Sequence, residues 1–141
     1  MSNSLELAKK LIELRLALRR ACMCEDGDKA LLSLKTKALF VIAGAETVSP
    51  SQLMAELKIV KPNLTVLAKE LEKDELIIRT HTLIDRRAVL YGITAKGRAY
   101  LEERIARIVD NLRLDGLTES VGERAGLSMD EVLRFLSEVG I

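Results

Sequence analysis

The chain reads as mainly α-helical with one small β-hairpin, a winged helix-turn-helix flanked by a long helix at either end. Three observations in its 141 residues lead there. Two short helices are signalled back to back between Ser49 and Leu71, two β-rich runs flank a charged tip at Asp85-Arg86-Arg87, and leucine-rich seams repeat at spacings of four, three and four.

The first seam is Leu7, Leu11, Leu14 and Leu18, with Lys9, Lys10, Arg15 and Arg19 between, which predicts an amphipathic helix from Leu5 to about Met23. Glu25-Asp26-Gly27-Asp28 interrupts it, and Asp28 is the expected cap of a second helix carrying Leu31, Leu34, Ala38 and Val41 and ending at Gly44. Ser49-Pro50-Ser51-Gln52 is a start signal: a capping serine, a proline at the first helical position and a glutamine able to reach back. That short helix should end near Leu57. After a link from Lys58 to Lys61, Pro62 opens the next helix, whose buried stripe is Leu64, Leu67, Ala68 and Leu71. Two short helices across so brief a link make a helix-turn-helix.

Ile77 to Thr82 and Ala88 to Ile93 then read as two strands around a loop, the wing. Thr94 is the expected N-cap of a long helix bearing Leu101, Ile105, Ile108 and Leu112. Asp115 to Gly126, with Gly116, Gly122 and Gly126, is expected to be turn-rich. Ser128 with Glu131 should form a capping box opening a last helix, whose apolar face holds Met129, Val132, Leu133, Leu136 and Val139. The whole is expected to be one domain, 1–141, with 28–97 the winged region and 1–24 and 98–141 helices that pair with a second copy. The seam residues Leu7, Leu11, Leu14, Leu18, Leu101, Ile105, Ile108, Leu112, Val132 and Leu136 would make that homodimer.

Composition narrows the function classes. Lysine and arginine number 22 against 21 acids, a net charge of +1, so a polyanion-binding surface must come from segregated charge. Two Phe, two Tyr and no Trp argue against stacking of unpaired bases on aromatic platforms. Neither a secretory signal nor a membrane-length apolar run is present, which predicts a cytoplasmic protein that does not enter the membrane. Cys22 and Cys24 are too few and too close for a disulfide framework, and with His81 the single histidine no structural zinc site is expected. They remain candidates for a redox switch, since Arg19 and Arg20 would lower a thiol pKa while Glu25, Asp26 and Asp28 oppose this. No catalytic triad, phosphate-cradling loop or metal spacing emerges, so neither enzymatic activity nor a cofactor is expected.

Once the stripe of the Pro62 helix is turned inward, Asn63, Thr65, Val66 and Lys69 face outward near its start, where such helices meet base edges in a major groove. An asparagine amide can pair with adenine in two directions, and Thr65 offers a hydroxyl or methyl contact. Lys61 and Lys69 suit phosphates. Glu70, Glu72, Asp74 and Glu75 gather at the other end of the helix. Arg86 and Arg87 lie where a hairpin tip reaches a minor groove, with Asp85 placed to hold the Arg87 guanidinium. Leu83 and Ile84 should pack back onto the wing's root; an apolar wedge between base steps is the other reading.

The run Lys61-Pro62-Asn63-Leu64-Thr65-Val66-Leu67 with Leu71-Glu72-Lys73, and the wing signature Asp85, Arg87, Ile93, Thr94 and Gly97, resemble the MarR family of bacterial and archaeal transcriptional regulators. The resemblance spans about Leu31 to Leu112. It implies a triangular homodimer with interlocked terminal helices, two winged regions on a pseudo-palindromic double-stranded DNA site, and often a small-molecule effector or an oxidant that changes their separation. It makes Asp85, Thr94 and Gly97 structural residues of the wing. Oxidant-sensing members use a cysteine in the N-terminal helical region, where Cys22 and Cys24 lie. Two residues depart from the pattern: Val66 stands where arginine or another polar reader is common, and Glu75 where glycine usually turns the chain into the wing. The expected function is a sequence-specific regulator, a repressor, with a winged-helix protein-interaction module as the alternative.

Overall fold

The computed structural model describes residues 2–20, 32–85, 87–112 and 114–140. Cys22, Cys24, Asp28, Leu31 and Arg86 lie outside the described residues. Helices α1 (Ser2–Arg20), α2 (Leu34–Ala43), α3 (Pro50–Leu57) and α4 (Lys61–Lys73) precede strands β1 (Ile77–His81) and β2 (Val89–Ile93). Helix α5 (Ala95–Leu112), a single 3₁₀ turn at Leu114–Gly116 and α6 (Glu119–Glu138) follow. By backbone proximity the chain divides into two compact units, Met1–Ile108 and Val109–Ile141.

The core of the first unit is aliphatic. Leu39 and Ile42 of α2, Leu53 of α3, and Leu64, Leu67 and Leu71 of α4 close on Leu76, Ile77 and Tyr91 from the hairpin. Burial of such side chains is the main favourable term in folding. The expected stripe of α4, Leu64, Leu67, Ala68 and Leu71, is buried throughout. The face of α2 is rotated from the expected one: Ala38, Leu39 and Ile42 are buried while Leu34 is exposed. Its cap is Ser33, whose hydroxyl accepts the Thr36 N–H and lies 3.0 Å from the Thr36 hydroxyl, satisfying the buried polar residue of this helix. Gly44 ends α2, as its sequence position suggests.

Helix α3 starts on the expected reciprocal cap. The Gln52 N–H donates to Ser49 Oγ and the Ser49 N–H to Gln52 Oε1, with Pro50 at the first helical position. The link to α4 is made by Lys58, left-handed at φ 55° and ψ 46°, after which the Ile59 N–H returns to the Met54 carbonyl. Helix α4 begins one residue earlier than expected, with Lys61 first and Pro62 second. Proline is tolerated there because the first amides of a helix have no carbonyl partner within it.

The two strands are antiparallel, with Ile77 opposite Ile93, Arg79 opposite Tyr91 and His81 opposite Val89. Val48 pairs with the other edge of β2: its N–H and carbonyl both bond to the Tyr91 backbone, at 2.9 and 2.8 Å. The hairpin is thereby tied to the segment before α3.

At the base of the wing, Glu75 takes a left-handed φ of 59° at the position where the family usually places glycine. The Thr94 hydroxyl donates to the Glu75 carbonyl at 2.7 Å and accepts the Gly97 N–H at 2.9 Å, while the Thr94 N–H donates to the Leu76 carbonyl. A Cβ on Gly97 would overlap the Leu76 carbonyl oxygen and crowd Ile93. One turn on, Leu101 is only 7% exposed and belongs to the aliphatic core, so it is not part of a free seam.

The second unit corrects the expectation for the C-terminal segment. Helix α6 is capped by Thr118, not Ser128, and runs through Gly122 and Gly126 without a break. Ser128 and Glu131 are helix interior. Each glycine costs about 1 kcal/mol relative to alanine in a helix, but the apolar spacing Val121, Ala125, Met129, Val132, Leu136, Val139 continues through both, so the same face is maintained. No residue of α6 is buried. In the first unit, the described side chains of α1 likewise supply nothing to the buried core, and Leu7, Leu14 and Leu18 are exposed while Leu11 is half-buried.

Replacing Gly97 with alanine should cost about 2 kcal/mol or more, because a backbone carbonyl cannot move aside. Replacing Glu75 with glycine should instead raise stability by about 0.5–1 kcal/mol, the left-handed strain released less the added freedom of the unfolded chain. Denaturant unfolding of both variants beside the parent measures the two effects, which differ in sign.

Candidate nucleic-acid interface

The outward side of α4 is built by default. With Leu64, Leu67, Ala68 and Leu71 inward, helical periodicity leaves Asn63, Val66 and Lys69 on one exposed stripe at intervals of three, with Lys61, Pro62 and Thr65 beside it. Among the described residues no side chain hydrogen-bonds the Asn63 amide, and neither Lys61 nor Lys69 forms an ion pair. Thr65 differs. Its hydroxyl donates to the Lys61 carbonyl at 3.0 Å, which leaves a methyl and an acceptor lone pair for any outside partner. Val66 is 63% exposed, an apolar side chain in the middle of a polar stripe.

Two of the four acids at the end of α4 are paired with cations. Glu72 accepts from Arg79 Nε at 2.7 Å, and Asp74 accepts from Lys35 Nζ at 2.7 Å. Arg79 also lies 5.7 Å from the centre of the Tyr91 ring, its partner across the hairpin, so it ties β1 to α4 while covering the buried tyrosine. Lys35 sits 5.5 Å from the Tyr100 ring and so links α2, the end of α4 and α5. Neither role was read from the sequence. Arg79 could have been found from the strand register, which places it opposite Tyr91 on the same face as buried Ile77; the Lys35 pairing spans 39 residues and has no local signal.

The tip of the wing is a closed hydrogen-bonded loop. The Thr82 hydroxyl donates to the Asp85 carbonyl at 2.7 Å and accepts the Asp85 N–H at 3.0 Å. The Ala88 N–H donates to the same carbonyl, and the Thr82 N–H to the Ala88 carbonyl. Asp85 Oδ1 accepts the Arg87 backbone N–H at 2.9 Å. The carboxylate thus orders the Arg87 main chain; among the described residues there is no ion pair between it and the Arg87 guanidinium, contrary to the expectation. Arg87 is exposed. Leu83 and Ile84 do not pack back onto the hairpin: they are 103% and 100% exposed.

Of the expected seam residues, Ile105 and Val132 are exposed and Ile108, Leu112 and Leu136 half-buried, each within its own unit. Among the described residues no helix is long and apolar enough to cross a membrane.

Residues 33–89 match the model of the MarR family. The match covers the helix-turn-helix and most of the hairpin, and over that segment the chain is similar to this family. Members of that family are transcription regulators. Solved structures agree in fold. FabT of Streptococcus pneumoniae, in complex with DNA, is 23% identical over 98% of both chains with a TM-score of 0.55. CouR, a transcriptional repressor bound to a 23-mer duplex, is 26% identical over 75% of this chain and 72% of its own, TM-score 0.53. NadR in complex with 4-hydroxyphenylacetate is 23% identical over 96% and 91%, TM-score 0.62. No curated protein matches the chain by sequence.

The hydrogen bond from Lys35 holds the Asp74 carboxyl below its ordinary range, and the same bond raises the Lys35 ammonium. A lowered carboxyl pKa stabilises the fold above the ordinary aspartate range and loses that contribution as pH falls through the folded value; the raised lysine is lost only in strong alkali. Asp74→Asn should therefore melt below the parent at neutral pH, with the gap closing in strong acid. Thermal melts across that range test this; a gap independent of pH would remove the pair from the account.

Proposed function

We propose that this chain is a DNA-binding transcriptional regulator of the MarR type, a cytoplasmic homodimeric repressor that reads a pseudo-palindromic operator through the exposed stripe of α4. The single observation that carries the reading is that stripe: an uncommitted amide and uncommitted ammonium groups at Asn63, Lys61 and Lys69 on a helix whose other face is fully occupied by the core. Asn63 reads a base edge, adenine being the best match for its amide. Val66 and the Thr65 methyl supply apolar contacts suited to a thymine methyl. Lys61 and Lys69 anchor phosphates, and Arg86 and Arg87 bring the wing to the minor groove.

Dimerisation through the terminal helices, 1–24 and 98–141, is supported by their unspent apolar surface. Helix α6 buries none of its residues and the described side chains of α1 add none to the core, yet both helices carry leucine or valine at helical spacing. A two-fold pair would set two recognition helices about one helical turn apart, roughly 34–36 Å. Leu101 is removed from the pairing set. Release of DNA by a small-molecule effector belongs to the same reading, as NadR is known with 4-hydroxyphenylacetate; release by an oxidant at Cys22 or Cys24 is its variant.

Selection of bound sequences from a random duplex pool, followed by titration of the winner, tests the proposal. Expected are a symmetric site and affinity that falls steeply with salt, since several phosphates are neutralised per dimer. Asn63→Ala should lose about 1–3 kcal/mol on the selected duplex and much less on a scrambled one. Equal loss on both would remove Asn63 from base reading, and failure to enrich any sequence would favour a protein-interaction module.

A further inference from the structure

Leu83 and Ile84 are the two most exposed large apolar side chains of the described residues, at 103% and 100%. They are adjacent, and they occupy the two central positions of a turn where glycine, proline, asparagine, aspartate and serine are the usual residues. The turn is not loose. The Thr82 hydroxyl bonds to both the N–H and the carbonyl of Asp85, Ala88 bonds to that carbonyl, and the Asp85 carboxylate engages the Arg87 N–H. Such a clamp holds the turn without any help from the two side chains, which contribute nothing to the fold and remain in water.

We propose that Leu83 and Ile84 form an apolar wedge that enters the minor groove beside the operator core and partly unstacks a base step there, bending the DNA. This rests on the DNA-binding reading given above. DNA is the occupant that the surroundings favour. The pair is followed within three residues by Arg86 and Arg87, the acid between them is engaged with backbone, and the hairpin comes directly after the helix whose free side carries Asn63, Lys61 and Lys69. A protein partner for the pair would have to accept these cations at the rim of an apolar pocket, whereas a minor groove offers negative potential around an apolar floor of sugars and base edges. Branched aliphatic side chains are the type that wedges between base pairs. Pyrimidine–purine steps yield most readily, so the wedge would confer a sequence preference at a position where no hydrogen bond is made.

The test uses the full-length parent and the double variant Leu83→Ser, Ile84→Ser, which leaves the clamp intact and should melt with the parent. Both are titrated against the selected operator with either a TA step or a stiff A-tract in the flank facing the wing. The DNA bend is followed by energy transfer between labelled ends, and unstacking by a 2-aminopurine placed at the step. The parent should prefer the TA flank, bend the duplex and brighten the probe. The variant should bind the TA duplex about tenfold more weakly, lose the flank preference and the bend, and retain the parent's salt dependence because no phosphate contact has been removed. A variant that keeps affinity, preference and bend overturns the proposal, as does one whose oligomeric state changes instead, which would assign the pair to protein contact. A parent that binds no duplex at all fails the DNA-binding reading, a result distinct from either of these.

Discussion

The junction between Glu75-Leu76 and Thr94-Gly97 holds the working half of the molecule together. There the link between α4 and β1, the residue that follows β2 and the first turn of α5 meet through three hydrogen bonds centred on Thr94. The absence of a side chain at Gly97 lets the α5 backbone approach the Leu76 carbonyl, and Leu101, one turn further along, is buried in the core. Because the hairpin leaves and returns through this junction, the direction of the wing relative to α4 is set there. The left-handed backbone at Glu75 is the local cost of that turn, and the surrounding bonds sustain it.

A chain of net charge +1 can still present a polyanion-binding face because several acids near that face are engaged by other groups. Glu72 is taken up by Arg79 and Asp74 by Lys35, and Asp85 turns its carboxylate to a backbone amide. Uncommitted toward the start of α4 are Lys61, Asn63 and Lys69, and on the wing Arg87 is exposed. Pairing on the surface contributes little to stability on average. Its effect here is to decide which charges are left to face a ligand.

Local signals with a strict geometry were legible in the residue order. The Ser49-Pro50-Gln52 cap, the Leu64 to Leu71 stripe, the strands around Asp85 and the Thr94 cap each depend on neighbours within a few positions, and each formed. Where competing local signals existed, distance in the chain decided. Ser128 with Glu131 resembled a helix start, but Thr118 lay upstream and an unbroken apolar face carried the helix through two glycines. Leu101 shared a spacing with Ile105 and Ile108, and periodicity alone has no means of telling a core contact from a free seam when all three lie on nearly the same side.

Residue order therefore settled the succession of elements, the inward face of α4 and the chemical identity of its outward one, because helix and strand periodicity and capping act over a turn or two. Folding in three dimensions decided the rest: that Arg79 covers Tyr91 and holds Glu72, that Lys35 reaches Asp74, that Gly97 lies under Leu76, and that Leu83 and Ile84 stay in water. These outcomes depend on the closure of segments far apart in the chain, or on whether a side chain finds any neighbour at all. No pattern of adjacent residues encodes that.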